Sequence, residues 1–487
     1  MTTTARPGRA REAPPPSAEP ATDPVEKPAR SSRSVAAVVR RLAVDTRPLR
    51  HPAYRRMFIG QAVSSMGLAF TAVAVPMQMY ALAQSSLWVG LLGVASLVPL
   101  VVFALWGGAL ADTLDRRVLL LGASALMWSS TLLLLVTAAL DATAPWLLLA
   151  LTALQSTGMG ASSASRGAII PRLVPEAELP AANALSSTAM TLSMTVGPLL
   201  AGLLVGDGHY ALAYAFDAAA FTVALWAAFR LPALLPGVGT PSGRRARSRP
   251  GTVRAKAKRR RVPAGARRGH ATTRPVRSSP PRGTTGWREV GAGLSYIASQ
   301  PVLWLSFAID IAAMVLALPR ALFPEVADQR FGLGAIGWLF AAISIGSMLA
   351  GLTSGWIGRV RRQGVALVAA VVVWGLAVAA AGVAPYLWLA VALLALGGAA
   401  DMVSAIYRQT ILQTYAPDEM RGRLQGVFFS VVAGGPRLGD LRAGGMAAVV
   451  GPTVSWVGGG IAAAVVAMVL AAAFPALLRY PSESVKR

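Results

Sequence analysis

Residues 166–176 read RGAIIPRLVPE, and residues 408–418 read RQTILQTYAPD. In the first stretch Pro175 and Glu176 begin nine residues after Arg166, and in the second Pro417 and Asp418 follow Arg408 at the same spacing, an offset of 242. The register extends outward. Gly108 and Arg116 shift by 243 onto Gly351 and Arg359, and Pro76 shifts by the same amount onto Pro319. Equal offsets at three separate places point to internal duplication, so the chain reads as two related halves.

What fills each half is hydrocarbon. Of the 487 residues, 54% are hydrophobic and 14% charged, with a mean hydropathy of +0.54, too apolar for a soluble protein of this length. Apolar stretches occur at 57–82, 87–111, 118–140, 145–166, 184–205, 210–230, 302–322, 333–357, 364–383, 386–407, 424–449 and 452–476. At ~1.5 Å per residue, about 20 residues cross a hydrocarbon core of ~30 Å. Helices satisfy their own backbone groups there, whereas open sheets cannot. The expectation is an all-α integral membrane protein with twelve transmembrane helices in two six-helix parallel repeats. They occupy 57–231 and 301–478. Around them lie a disordered basic, Pro-rich tail at 1–56, a basic linker at 232–300 and a C-terminal tail at 479–487. Trp287 to Ser299 reads as a short interfacial helix at the end of that linker.

A net charge of +25 invites a nucleic-acid reading, but the location of the charge argues against it. About 17 of the 46 Lys and Arg residues lie between Arg230 and Arg288, and about 12 more lie in residues 1–56. Alternate loops carry Arg116 and Arg117, Arg166 and Arg172, Arg359, Arg361 and Arg362, and Arg408, Arg421 and Arg423. The other loops offer little beyond Arg320 and Arg330, beside Glu325 and Asp328. Excess Lys and Arg marks cytoplasmic loops, which places both termini and the central loop in the cytoplasm of a multi-pass cell-membrane protein. The linker then reads first as a solvated tether, with anionic lipid head groups as the alternative and no nucleic acid expected. Without cysteine, and with His51, His209 and His270 far apart, no metal site is expected. No P-loop, His-Glu-x-x-His or nucleophile elbow occurs, and neither an enzyme nor a cofactor is expected.

Two local motifs sharpen the reading. Residues 107–117, GGALADTLDRR, place Gly108, Asp112, Asp115, Arg116 and Arg117 at the turn between the second and third spans. Gly108 permits close helix approach, Asp112 can cap a helix of the opposite half, and the arginines can pair with acids across the interface, together a conformational latch. This order of Gly, Asp and a basic pair resembles the loop signature of the major facilitator superfamily. The family carries a basic residue where Thr113 stands, and Gly355 replaces the Asp in the second half. In the fifth span Gly197, Pro198 and Gly202 resemble the Gly-Pro-x-x-Gly-Gly element of drug and proton antiporters of that superfamily, with Ala201 in place of a Gly; small residues there let helices touch. Across residues 50–480 the chain looks closest to the enterobactin-exporter-like branch, through RGAIIPRLVPEAELPAANAL at 166–185 and YRQTILQTYAPDEMRGRLQGVFFSVVAGGPRLGDLRAGG at 407–445. That resemblance implies a central cavity between the halves, export and proton coupling.

Charges inside spans cost ~3 kcal/mol or more near the centre and are functional candidates by default. Asp310, in the seventh span, is the first choice for a group that takes up a proton or recognises a cation. Arg437, Asp440 and Arg442 stand beside Gly434-Gly435-Pro436, where the helix is expected to break, and Arg437 and Asp440 are spaced to neutralise each other. Asp217 and Asp401 are placed nearer span ends. The function expected is a secondary active exporter of a small amphipathic or siderophore-like compound, driven by protons. A nutrient importer or passive facilitator of the same fold stays open, as does a membrane sensor or scaffold that recruits a partner through the basic linker.

Overall fold

The structure, a computed structural model, describes residue 2 and residues 45–113, 115–231, 286–415, 421–475 and 477–478. The linker reading for 232–285 and the tails therefore lie outside the described residues, except 45–56. Thirteen long helices form in this order: α1 Pro52–Ala83, α2 Ser86–Thr113, α3 Arg116–Ala139, α4 Pro145–Leu173, α5 Leu179–Val205, α6 Tyr210–Phe229, α7 Gly286–Ser299, α8 Pro301–Ala317, α9 Ile336–Leu352, α10 Gln363–Gly382, α11 Leu387–Tyr415, α12 Arg421–Val450 and α13 Pro452–Ala473. No strand occurs among the described residues. All but α7 match the twelve expected spans; α7 is the amphipathic helix expected before the seventh.

Among the described residues, ten stretches are long and apolar enough to cross a membrane by length and composition. The two spans outside that set, α4 and α12, are more polar but are packed into the bundle: α4 lies along α2 and α3, and α12 along α2, α8 and α13. Helix packing repeats between the halves. In the first, α1 packs on α5 and α6, and α3 on α4 and α6; in the second, α8 packs on α12 and α13, and α10 on α11 and α13. Side-chain bonds stitch α1 to α5 at one end, where Tyr54 Oη donates to the Ala182 carbonyl at 2.8 Å and His51 meets Glu178 at 3.1 Å. Consecutive spans alternate in direction, so the bundle has a basic end, carrying 174–178 and 353–362, and an opposite end with the connections 84–85, 140–144, 206–209, 318–335, 383–386 and 451.

The chain breaks elsewhere than the sequence suggested. Glycines and Pro436 predicted a break in the eleventh span, yet α12 runs through Pro436 without interruption. Neighbouring helices and side chains can re-satisfy backbone groups freed by a membrane proline; Arg437, the next residue, folds its Nη1 back onto the Ala433 carbonyl at 2.7 Å. The seventh span instead stops at Ala317, and successive 3-10, α and π turns carry the chain to Gly332, whose φ of +81° suits a residue without Cβ. Arg442 fastens the end of α8, donating from Nε to Val315 O at 3.2 Å and from Nη2 to Leu316 O, and reaches Ser455 O at 3.0 Å through Nη1. That is a helix-capping role, because terminal carbonyls have no partner within their own helix.

Candidate functional site

Buried charge in the C-terminal half gathers around one arginine. Arg408, 6% exposed on α11, forms an ion pair with the Asp310 carboxylate of α8, 2% exposed. Its Nη2 lies 3.5 Å from Asp401 Oδ1, two turns earlier on α11. Two carboxylates thus share one guanidinium, inside a bundle where each charge must find a partner or lose solvation energy. Ser404 Oγ and Arg408 Nε, beside the pair, are buried without hydrogen-bond partners.

The structure brings Asp310 and Asp401 together through a residue that sequence reasoning had assigned to a loop. The tenth span was expected to end at 407, with Arg408 counted among the cytoplasmic arginines; α11 instead continues to Tyr415. The missed signal is helical periodicity. Ser404, Tyr407, Arg408, Ile411 and Leu412 are all buried, the i, i+3, i+4, i+7, i+8 stripe of one helix face. Arg408 lies on that stripe, so it points inward.

The α12 residues divide. Arg437 and Asp440 do not form an ion pair with each other. Arg437 Nε donates across to Ser96 Oγ on α2 at 2.9 Å, while Asp440 accepts the Ala321 backbone N–H and keeps a buried Oδ1 without hydrogen-bond partner. Arg442 is occupied by the α8 end. Asp217, expected near a span end, is fully buried in α6 and meets Thr71 and Thr131, on α1 and α3.

At the end opposite the basic one, the halves are in backbone contact. Gly202 of α5 faces Gly337 of α9 so closely that a Cβ built on Gly202 would stand 2.6 Å from the Gly337 Cα. Gly197 packs on Ala69 of α1, so one face of this motif serves its own half and another the interface; the Pro198 carbonyl also lies against Gly337. Gly90 and Gly93 of α2 lie against the α12 backbone at Asp440 and Arg437, and Ser86 Oγ donates to the Glu325 carboxylate. Glycine permits such approach because a side chain would occupy the gap.

At the basic end Asp115 caps α3, accepting the Arg117 N–H at 2.9 Å, and the Arg117 guanidinium reaches the Phe229 carbonyl at 2.5 Å and stacks over its ring. Both contacts stay within the N-terminal half. The side chains of Asp112 and Arg116, and the surroundings of Gly108, lie outside the described residues. An apolar groove of about 720 Å³ between α7, α8 and α12, lined by Ile297, Trp304, Phe307, Ile311 and Val431 among others, offers no charged group.

Known proteins resemble this chain over most of its length. The enterobactin exporter EntS of Shigella boydii serotype 18 is 27% identical over 442 residues, covering 88% of this chain and 94% of that protein. The Escherichia fergusonii protein of the same name matches to the same extent. Among solved structures, the nucleoside transporter NupG superposes with a TM-score of 0.62 at 14% identity, over 88% of this chain and 99% of that one. A POT family transporter in complex with 5-aminolevulinic acid gives 0.63 at 10% identity, over 88% and 96%. The Major Facilitator Superfamily profile matches residues 57–439, most of both halves, and the chain therefore belongs to that family of multi-pass membrane transporters.

Proposed function

We propose that the protein is a proton-coupled secondary exporter of a small amphipathic or siderophore-like compound, with both termini and the basic end of the bundle in the cytoplasm. The observation that carries the coupling is the buried cluster of Asp310, Arg408 and Asp401. Fully ionised, it holds one negative charge more than Arg408 can balance, and a proton on either acid removes that surplus. Protonation of Asp310 frees the guanidinium for Asp401, only 3.5 Å from it already. Because Asp310 belongs to α8 and Asp401 to α11, the exchange loosens one helix from the other. Rocking of the halves, with closure through the glycine contacts of α5 with α9 and α2 with α12, turns that loosening into alternating access. The Asp112 latch then biases one state at the basic end. Export and substrate class are supported by the exporters to which the chain is similar.

The test is efflux in everted vesicles with an imposed pH gradient, comparing the parent with Asp310→Asn. The parent is expected to transport with the gradient and to stop with an uncoupler, and the variant to lose the gradient-driven component. Unchanged gradient-driven transport in the variant would falsify the role of Asp310. Indifference of the parent to uncoupler would make the protein a passive facilitator instead.

A further inference from the structure

The N-terminal half holds a buried carboxyl of its own, far in sequence from the Asp310 cluster. Asp217 is fully buried in α6, and among the described residues no lysine, arginine or histidine forms an ion pair with it. Oδ2 accepts from Thr71 Oγ1 of α1 at 2.5 Å and lies 3.2 Å from Thr131 Oγ1 of α3, and Oδ1 has no hydrogen-bond partner among the described residues. Against Oδ1 stands Gly67 of α1, where a Cβ would lie 2.5 Å away. The offset of 243 carries Gly67 onto Asp310. The first helix of one half therefore carries an acid where the first helix of the other leaves room for an acid from the sixth.

Burial without a cationic partner among the described residues favours the uncharged acid. A threonine hydroxyl has one hydrogen and two lone pairs. Thr131 Oγ1 lies 3.1 Å from the Met127 carbonyl, one turn back, and accepts from Gln155 Nε2 of α4 at 3.3 Å. Thr131 has one hydrogen for two acceptors: given to Asp217 Oδ2 it leaves the carboxyl as acceptor, and given to the Met127 carbonyl it leaves a lone pair that a hydrogen on the carboxyl completes. The same hydrogen removes a buried, unpaired negative charge.

A polar file starts one helical turn from the site and runs toward the non-basic end. Tyr214, fully buried one turn before Asp217, donates to Gln78 Oε1 at 2.7 Å, and Gln78 Nε2 donates at 3.1 Å to Thr143 Oγ1 in the turn between α3 and α4. The titratable neighbours of Asp217 are Tyr214 and, beyond it, Tyr210, both on α6; α1 faces it with Thr71, Gly67 and Gln78, α3 with Thr131, and α4 stands behind Thr131 with Gln155.

We propose that Asp217 is a second proton-binding carboxyl, reached from the non-basic end past the polar side chains of Thr143, Gln78 and Tyr214 and sensed at α4 through Thr131 and Gln155. Its role in transport rests on the proton-coupled reading above; its protonation does not, and is measured directly. Infrared difference spectra of the purified, lipid-reconstituted protein should contain a carboxylic-acid carbonyl band that shifts in deuterium oxide, fades reversibly as pH rises and is missing in Asp217→Asn. Thr71→Val, which keeps the carboxyl, should move the band by removing its short hydrogen bond. Tyr214→Phe should slow its exchange after a pH jump at least about tenfold. A carboxylic-acid spectrum that loses nothing in Asp217→Asn, or a lost band that is indifferent to pH in the parent, overturns the proposal. Should Asp217→Asn not fold, an unmoved band in Thr71→Val does the same. In vesicles, Asp217→Asn should keep substrate exchange without a gradient and lose the gradient-driven excess. A parent that ignores the gradient defeats the coupling reading and leaves the spectroscopic result to decide Asp217.

Discussion

Removing one member of a buried ion pair strands the other's charge in a medium that cannot solvate it, at about 3–5 kcal/mol. Arg408→Gln leaves both Asp310 and Asp401 without that partner, so it is expected to lower the thermal unfolding midpoint in detergent. Adding Asp310→Asn to Arg408→Gln should restore most of the loss, because the double variant removes both sides of the pair. A double variant no more stable than the single one argues that the pair does not govern stability. At the basic end the Asp115 carboxylate takes the Arg117 N–H. Asp115→Ala should therefore cost about 1 kcal/mol, and Asp115→Asn much less, since asparagine caps a helix nearly as well; equal losses would deny the cap. Asp310 was legible as a candidate because an acid in an apolar run is conspicuous. Arg408 was not, since an arginine beyond an apolar run looks the same whether the helix stops or continues.

At the scale of elements, the twelve spans were legible from hydropathy and their grouping from the 242 and 243 offsets. Their ends were less so, because membrane helices extend past their hydrocarbon stretch: α4 reaches Leu173 and α11 Tyr415. The site of the break was misjudged for a related reason. Pro436 sits in a helix supported on several sides, whereas Pro319 follows a helix end whose carbonyls Arg442 collects. Arg330 performs a matching service for α10, donating to Gly382 O at 2.6 Å and Ala384 O at 2.7 Å. Arg442→Leu should consequently loosen the α8 end, read as faster amide exchange at residues 312–318 than in the parent. The α5 motif was legible as packing but not as an interface between halves, since spacing alone does not name the partner. Gly202→Leu is expected to prevent the α5 and α9 approach and to shift the population toward states open at that end, measured by solvent labelling of a cysteine introduced at position 199. Parent-like labelling would remove that contact from the closing mechanism. The protein has no native cysteine to confuse the assay.

For the molecule as a whole, the basic segment between the halves decides between transport and scaffolding. Deleting residues 240–285 should leave most efflux intact if the segment serves as a tether, and abolish function if it recruits a partner. The closed end holds a different lesson. Its glycine contacts are dispersion contacts, and a gap of about 0.5–1 Å already forfeits a quarter to a half of such attraction. Partial separation therefore gains nothing. The two halves behave as a snap fastener, held or released, and a force of so short a range is blind to screening ions, which act over a Debye length of about 8 Å at physiological ionic strength. The grip of these glycine contacts should answer to the lateral squeeze of the surrounding lipid far more than to the saltiness of the water on either side.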